Sequence, residues 1–172
     1  MNGGHPVKQV LILLGSKSDL PATEKGLSLL RELKITYSLR IASAHRTPAH
    51  VLKILDEFVA QGGQLCICVA GMAAHLGGVV AAHTMLPVIG VPIAQAATAG
   101  FDSLLSVSQM PPGIPVATMG FGSSGFTNAS LLAGQILALH DRELAERNRA
   151  YRQRMTDEVI AADKEARIDF EG

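Results

Sequence analysis

The sequence predicts an α/β fold in which one parallel sheet is covered by helices on both faces. Three observations lead there. The runs at residues 7–14, 65–69 and 88–91 are almost uninterruptedly apolar instead of alternating, as strands buried on both faces are. Segments of helical spacing separate them, which parallel strand connections require. Hydrophobic residues make up 48% of the 172 and charged ones 17%, enough apolar material for a sizeable core in a single domain spanning 1–172.

The elements follow in order. Residues 7–14 form the first strand, broken by Gly15-Ser16-Lys17-Ser18-Asp19. Pro21 lies near the first turn of a helix reaching Leu33, with Leu27, Leu30 and Leu33 on one side. A second strand at 37–41 and the loop 42–47 precede a helix opened by Pro48 and capped by Thr47, with Val51, Leu52, Leu55 and Val59 as its buried stripe. Gly62-Gly63 ends it. The third strand, 65–69, leads through residues 70–75 into a helix of small residues reaching about Thr84. Pro87 and Pro92 bound a fourth strand at 88–91. A short helix at 103–109, a fifth strand at 116–119, a glycine-rich turn and a helix at 124–140 complete a core of about 7–141. A charged helix at about 143–162 remains as a C-terminal arm. Its thin apolar edge of Leu144, Tyr151, Met155 and Val159 suits packing on a neighbouring subunit, with a purely solvated helix as the other reading.

Charge narrows the function classes. Fifteen basic and fifteen acidic side chains cancel, and Trp is absent, so neither a nucleic-acid footprint nor a base-stacking platform is expected. Residues 61–140 contain a single formally charged side chain, Asp102. A lone globule of this size seldom has the interior to hide such a stretch, so either the protein is sticky or, as expected here, it forms an extensive homo-oligomer. From Asp141 onward the pattern reverses, with nine acids and seven bases in 32 residues. The first apolar run is too short for a signal core or a membrane span. Cys66 and Cys68 read as core thiols on one strand face rather than a disulfide framework, and a reduced, cytoplasmic compartment is expected. The six histidines show no metal-ligand spacing.

Ligands of open parallel sheets bind at the carboxyl ends of the strands, and three consecutive loops there carry reactive clusters. The first, residues 15–19, offers backbone N–H groups and two hydroxyls at a helix N-terminus, an anion site without the spacing of a P-loop. Asp19 either caps that helix or accepts hydrogen bonds from a sugar diol. The second sets His45, an imidazole able to give or take a proton, beside the fixed cation Arg46 and the hydroxyl of Ser43: a phosphate grip next to a proton shuttle. The third combines small residues with a second imidazole, His75, which either lines the site or bonds the backbone at a helix start. Residues 120–125 match G-x-G-x-x-G, but too late in the chain and without the acid-ended strand of a dinucleotide site, so a tight turn is expected there.

Those loops, Gly15-Ser16-Lys17-Ser18-Asp19, Ser43-Ala44-His45-Arg46-Thr47-Pro48 and Ala73-Ala74-His75-Leu76, closely resemble the PurE family of purine (IMP) biosynthesis. Asp102-Ser103-Leu104-Leu105-Ser106, Gln109-Met110-Pro111 and Gly113-Ile114-Pro115-Val116-Ala117-Thr118 extend the resemblance, in order, over about residues 10–141. It implies a flavodoxin-like three-layer α/β/α sandwich with a five-stranded parallel sheet. It further implies a homo-octamer with active sites at subunit contacts, and a mutase that moves a carboxylate from the exocyclic nitrogen of N5-carboxyaminoimidazole ribonucleotide to ring carbon C4. No metal, nucleotide or biotin is implied as cofactor. By the same resemblance His45 is the general acid/base. Ser16, Ser43 and Arg46 hold the substrate phosphate, and Asp19 holds the ribose hydroxyls. Gly71, Ala74, His75 and Leu76 line the pocket around the base and the migrating carboxylate. Met72 stands where the family has glycine, Gly77 where it has proline, and residues 94–98 differ in detail.

Two other readings compete. The carboxylase branch of the family fixes free carbon dioxide onto aminoimidazole ribonucleotide, but it tends to carry a Lys-containing variant at positions 46–48 and to lack the His75-Leu76 pair, both of which this chain keeps in mutase form. A non-catalytic nucleotide or flavin module on the same scaffold is the alternative of another class; His45 beside Arg46 argues for catalysis.

Overall fold

The computed structural model describes residues 7–168. Five strands, β1 (Val10–Leu14), β2 (Tyr37–Ile41), β3 (Leu65–Gly71), β4 (Val88–Ile93) and β5 (Ala117–Thr118), form one sheet in the order β2-β1-β3-β4-β5. Every pairing is parallel, and this is the flavodoxin-like order, with its switch point between β1 and β3. Six helices complete the fold: α1 (Glu24–Glu32), α2 (Pro48–Ala60), α3 (Leu76–Ala81), α4 (Phe101–Ser108), α5 (Gly122–Leu137) and α6 (Arg142–Ala166).

Continuous apolarity in the strands has a direct structural cause. Val10, Ile12 and Leu14 of β1 face α1 and α5 with Ile67, Val69, Leu30 and Phe126. Leu11 and Leu13 face the other way, against Val51, Leu55, Cys66 and Leu76. All five β1 side chains are at most 1% exposed, and their burial contributes on the order of 10 kcal/mol. Burial also pushes the Cys66 thiol up to about 12 and the Cys68 thiol well above its usual value. Both are core groups without thiolate reactivity.

Several boundaries differ from the sequence reading. β1 begins at Val10; just before it Gln9 N donates to both the carbonyl and the hydroxyl of Thr36, and Thr36 Oγ1 donates to Val7 O. A 3₁₀ turn, Lys17–Thr23, takes in Pro21 and delays α1 to Glu24. Thr47 occupies the N-cap position of α2, but its hydroxyl accepts from Ser43 N and donates to Ser43 O. The buried stripe of α2 is Val51, Ile54, Leu55 and Phe58, the true i, i+3, i+4, i+7 set, while Val59 is exposed. α3 ends at Ala81, since Gly77 and Gly78 weaken a helix that Pro87 would stop anyway. β4 runs through Pro92, which is tolerated because β5 pairs only with Ile89 and Gly90 and leaves that flank of Pro92 without a strand. At the glycine-rich turn, a Cβ on Gly125 would collide with the Gly120 carbonyl, so the G-x-G-x-x-G match reflects local packing at the start of α5.

The helix α6 starts at Asp141, whose carboxylate accepts from Leu144 N at 2.9 Å. Its near half is pinned to the same chain: Leu144 is buried, Arg147 Nε donates to Leu33 O, Asn148 Nδ2 donates to Gly134 O, and Arg154 pairs with Glu32 at 2.7 Å. From Arg152 to Ile168 every residue is exposed.

Candidate active site

The loops following β1, β2, β3 and β4 meet at the carboxyl edge around a cleft of about 490 Å³. Gly15, Ser16, Ser18, Asp19, Ser43, Ala44, His45 and Arg46 form one side of its lining; residues 70–73, His75, Leu76 and Gln95 form the rest. Eight of the nine residues singled out from sequence therefore share one space. Ala74 does not: it is 1% exposed and packs under the third loop among the core residues.

Each cluster has a local reason for its shape. In the first loop Ser16 is the N-cap of the 3₁₀ turn, and Asp19 completes a capping box by accepting from Ser16 N at 3.0 Å. Ser18 Oγ links the two, 2.8 Å from Ser16 Oγ and 3.3 Å from Asp19 Oδ1. Capping is thus part of what Asp19 does, and its carboxylate still borders the cleft. Burial raises the Asp19 pKa above its ordinary value, against the opposing pull of the Ser16 N–H, the Ser18 hydroxyl and the Arg46 charge. In the second loop Ser43 Oγ accepts from Arg46 N at 3.2 Å, and Arg46 Nη2 reaches back to Gly15 O at 3.2 Å. That bond ties the first two loops together and leaves most guanidinium donors open.

The third loop delivers His75. Its ring makes no bond to the helix it precedes; His75 Nδ1 lies 2.9 Å from His45 Nε2, with the rings edge to face and their centroids 5.0 Å apart. One ring must donate and the other accept. Two imidazoles therefore hold a single proton between them, beside a cation and three hydroxyls. Both rings and Arg46 are exposed in the single chain. Among the described residues no group of three or more His, Cys, Asp or Glu is placed to hold a metal ion.

Ser18 and Gln95 were not singled out individually by the sequence reading. Ser18 is one of the two hydroxyls of the first loop, residues 15–19. Gln95 follows β4 by two residues, whereas a strand ending at Val91 sets it four away, beyond the loop that adjoins the strand end.

Fold and cleft together define an open α/β protein with a polar ligand cleft at the switch point of its sheet. The family model described as AIR carboxylase matches residues 9–158, and the chain belongs to that family. It is 45% identical over 160 residues to the N5-carboxyaminoimidazole ribonucleotide mutase of Escherichia coli K12, covering 93% of this chain and 95% of that one. Identity to the protein of the same name from Methanocaldococcus jannaschii is also 45%, over 94% of this chain and 99% of the relative. Among solved structures, Treponema denticola PurE superposes with a TM-score of 0.85 at 34% identity, over 92% of this chain and 98% of the other. The resemblance to the PurE family and the flavodoxin-like fold it implied are borne out.

Proposed function

We propose that this chain is an N5-carboxyaminoimidazole ribonucleotide mutase, an isomerase of purine biosynthesis. Near-full-length identity of 42–46% to curated mutases supports this activity over a carboxylase or a flavin module. The observation that carries the geometry is the convergence of the His45–His75 pair with Arg46, Ser43, Ser16 and Asp19 in one cleft.

In the mechanism we favour, Arg46 with Ser16 and Ser43 grips the phosphate, remote from the bonds that change, so binding energy there orients the ring. Asp19 accepts from the ribose hydroxyls. Protonated His45 gives its proton to the carbamate nitrogen, the N–C bond breaks with its electrons going to nitrogen, and carbon dioxide leaves. C4 then attacks carbon dioxide, and neutral His45 removes the C4 proton, so the proton count closes. While His45 is charged its Nε2–H must be the donor to His75 Nδ1, which makes His75 the neutral member of the pair. The uncharged wall of Ala70, Gly71, Met72, Ala73 and Leu76 suits the waiting carbon dioxide. No metal or organic cofactor enters these steps.

The same reading takes residues 1–172 as one cytoplasmic domain that works as a homo-octamer. Its support is the single charge in residues 61–140 and the exposed Met155, Val159 and Ile160 on the far half of α6. Among the described residues no helix is long and apolar enough to cross a membrane. The deciding experiment offers each substrate in bicarbonate-free buffer. Conversion of the carbamate isomer is expected; turnover only of aminoimidazole ribonucleotide, and only with added bicarbonate, would replace the mutase by a carboxylase.

A further inference from the structure

The two ends of the cleft differ in chemistry. The strand order sets Arg46, Ser43, Ser16 and Ser18, with Asp19 beside them, on the side of the loops after β1 and β2, and the cation and hydroxyls there suit a phosphate. The other end, where β3 and β4 finish, is walled by Ala70, Gly71, Ala73 and Leu76, and the polar side chain that enters there besides the imidazoles is Gln95. No hydrogen bond engages its carboxamide among the described residues, so both the Nε2 donors and the Oε1 acceptor are free for a ligand. A Cβ built on Gly71 would come within 3.4 Å of Gln95 Nε2 and 3.1 Å of Ile93 O; glycine keeps that approach open.

The segment carrying Gln95 is anchored from below. It leaves β4 into the short turn Ala96–Thr98, followed by Ala99 and Gly100 in left-handed conformations at φ 50° and 84°. Fully buried Ser103 Oγ lies 3.0 Å from both Ile93 O and Gly100 O, its one proton shared between the two carbonyls. Thr98 Oγ1 donates to Asp102 Oδ1 at 2.7 Å. The lone charge in residues 61–140 therefore serves to latch this loop. A latched loop presenting an unengaged carboxamide is a preorganised contact.

We infer that Gln95 is a substrate-reading residue of this cleft, its Nε2–H donating to the migrating carboxylate and its Oε1 accepting from the neighbouring amine. The inference rests on the mutase reading and deepens it. A substrate whose carboxylate leaves one atom and rejoins another needs a donor that follows it without holding it. A cation here would stabilise the bound carboxylate and oppose carbon dioxide release, because negative charge leaves that end as the bond breaks. A neutral amide binds the carboxylate more weakly and, unlike a cation, pairs with the adjacent N–H as well.

The test compares full-length wild type with Gln95→Ala and Gln95→Glu. Wild type is first assayed on both candidate substrates, so failure of the mutase reading shows there, and the variants are compared on whichever substrate is turned over. Gln95→Ala is expected to lower kcat/KM about tenfold, the size of one hydrogen bond to a charged group. Gln95→Glu, which sets a carboxylate against a carboxylate, is expected to lower it about a hundredfold or more. Affinity for ribose 5-phosphate, which lacks the amine and carboxylate, stays unchanged in both, as does Tm. Constants for Gln95→Ala within twofold of wild type, a Gln95→Glu enzyme as active as Gln95→Ala, or equal weakening toward ribose 5-phosphate would each overturn the assignment.

Discussion

His45 and His75 cannot both be doubly protonated while the 2.9 Å bond between them stands, because a pair with four N–H groups has no acceptor. The pair is thus limited to one positive charge, which is what a single proton shuttle needs. Replacing His45 by Asn removes the proton carrier and keeps the size and polarity of the side chain. Turnover is expected to fall at least about a thousandfold, with substrate affinity by calorimetry within a fewfold of wild type. Arg46→Ala is expected to reverse that division, weakening binding of the phosphorylated substrate about tenfold to a hundredfold. Asp19 provides a pH test. Its folded-state pKa lies above the unfolded value, so the folded protein binds the extra proton over that interval. The Asp19 contribution to stability therefore declines as pH rises from the unfolded value through the folded one, and stays low above it. Asp19→Asn is expected to abolish that decline, leaving Tm at pH 7 equal to or above wild type while affinity for substrate falls. A Tm profile parallel to wild type across pH 3 to 7 would contradict this. Met72 adds a stability test: it holds φ 57° with 64% of its surface exposed. The left-handed conformation costs about 1–2 kcal/mol, and glycine returns roughly 0.5–1 of that as chain entropy. Met72→Gly is expected to stabilise by about 0.5–1 kcal/mol in denaturant unfolding.

At the scale of elements, what could be read in advance followed from local chemistry. The interiors of β1 and β3 were legible because residues apolar at every position admit few other readings. The loops after β1, β2 and β3 were legible because serine, aspartate, histidine and arginine concentrate in them at the strand ends. Ends and faces were harder. Leu52 and Val59 are as apolar as Ile54 and Phe58, and only the direction of α2 against the sheet decides which pair is buried. Pro92 reads as a strand end until the short β5 is known to leave its flank open, and that error hid Gln95. For α6, neither the bonds of its near half to Leu33 O, Gly134 O and Glu32 nor the exposure of its far half was readable from a charged amphipathic pattern. This division predicts that truncation after Arg154 leaves the core folded, with far-UV circular dichroism losing only the signal of the deleted turns. If the far half is a subunit contact, light scattering will show a smaller assembly than wild type. An unchanged mass would remove the arm from the interface.

For the whole molecule, the chemistry requires that the cleft be closed. Carbon dioxide released from the carbamate must recombine before it escapes, yet His45, Arg46 and His75 are all exposed in the single chain. On the homo-oligomer reading proposed above, neighbouring copies supply that confinement. A second, larger cavity of about 1010 Å³ lies at the opposite edge of the sheet, among Val59, Leu86, Val88 and Ile114 with fully exposed Met85 at its rim. Its lining is mainly apolar, with Asp56 and His83 among it, and an uncovered surface of this kind has the character of an oligomer interface. Met85→Glu tests the connection between assembly and chemistry. Within one chain the side chain touches solvent alone, so the fold should be unaffected. Across a subunit contact, an unpaired buried carboxylate costs several kcal/mol, enough to split the assembly. The expected variant is a folded species of lower mass that has lost carboxyl migration and instead lets the carbamate decay to aminoimidazole ribonucleotide and dissolved carbon dioxide. A dissociated variant that still isomerises the carbamate at the wild-type rate would mean that a single chain closes over its own substrate, and the assembly would then have to be explained by stability alone.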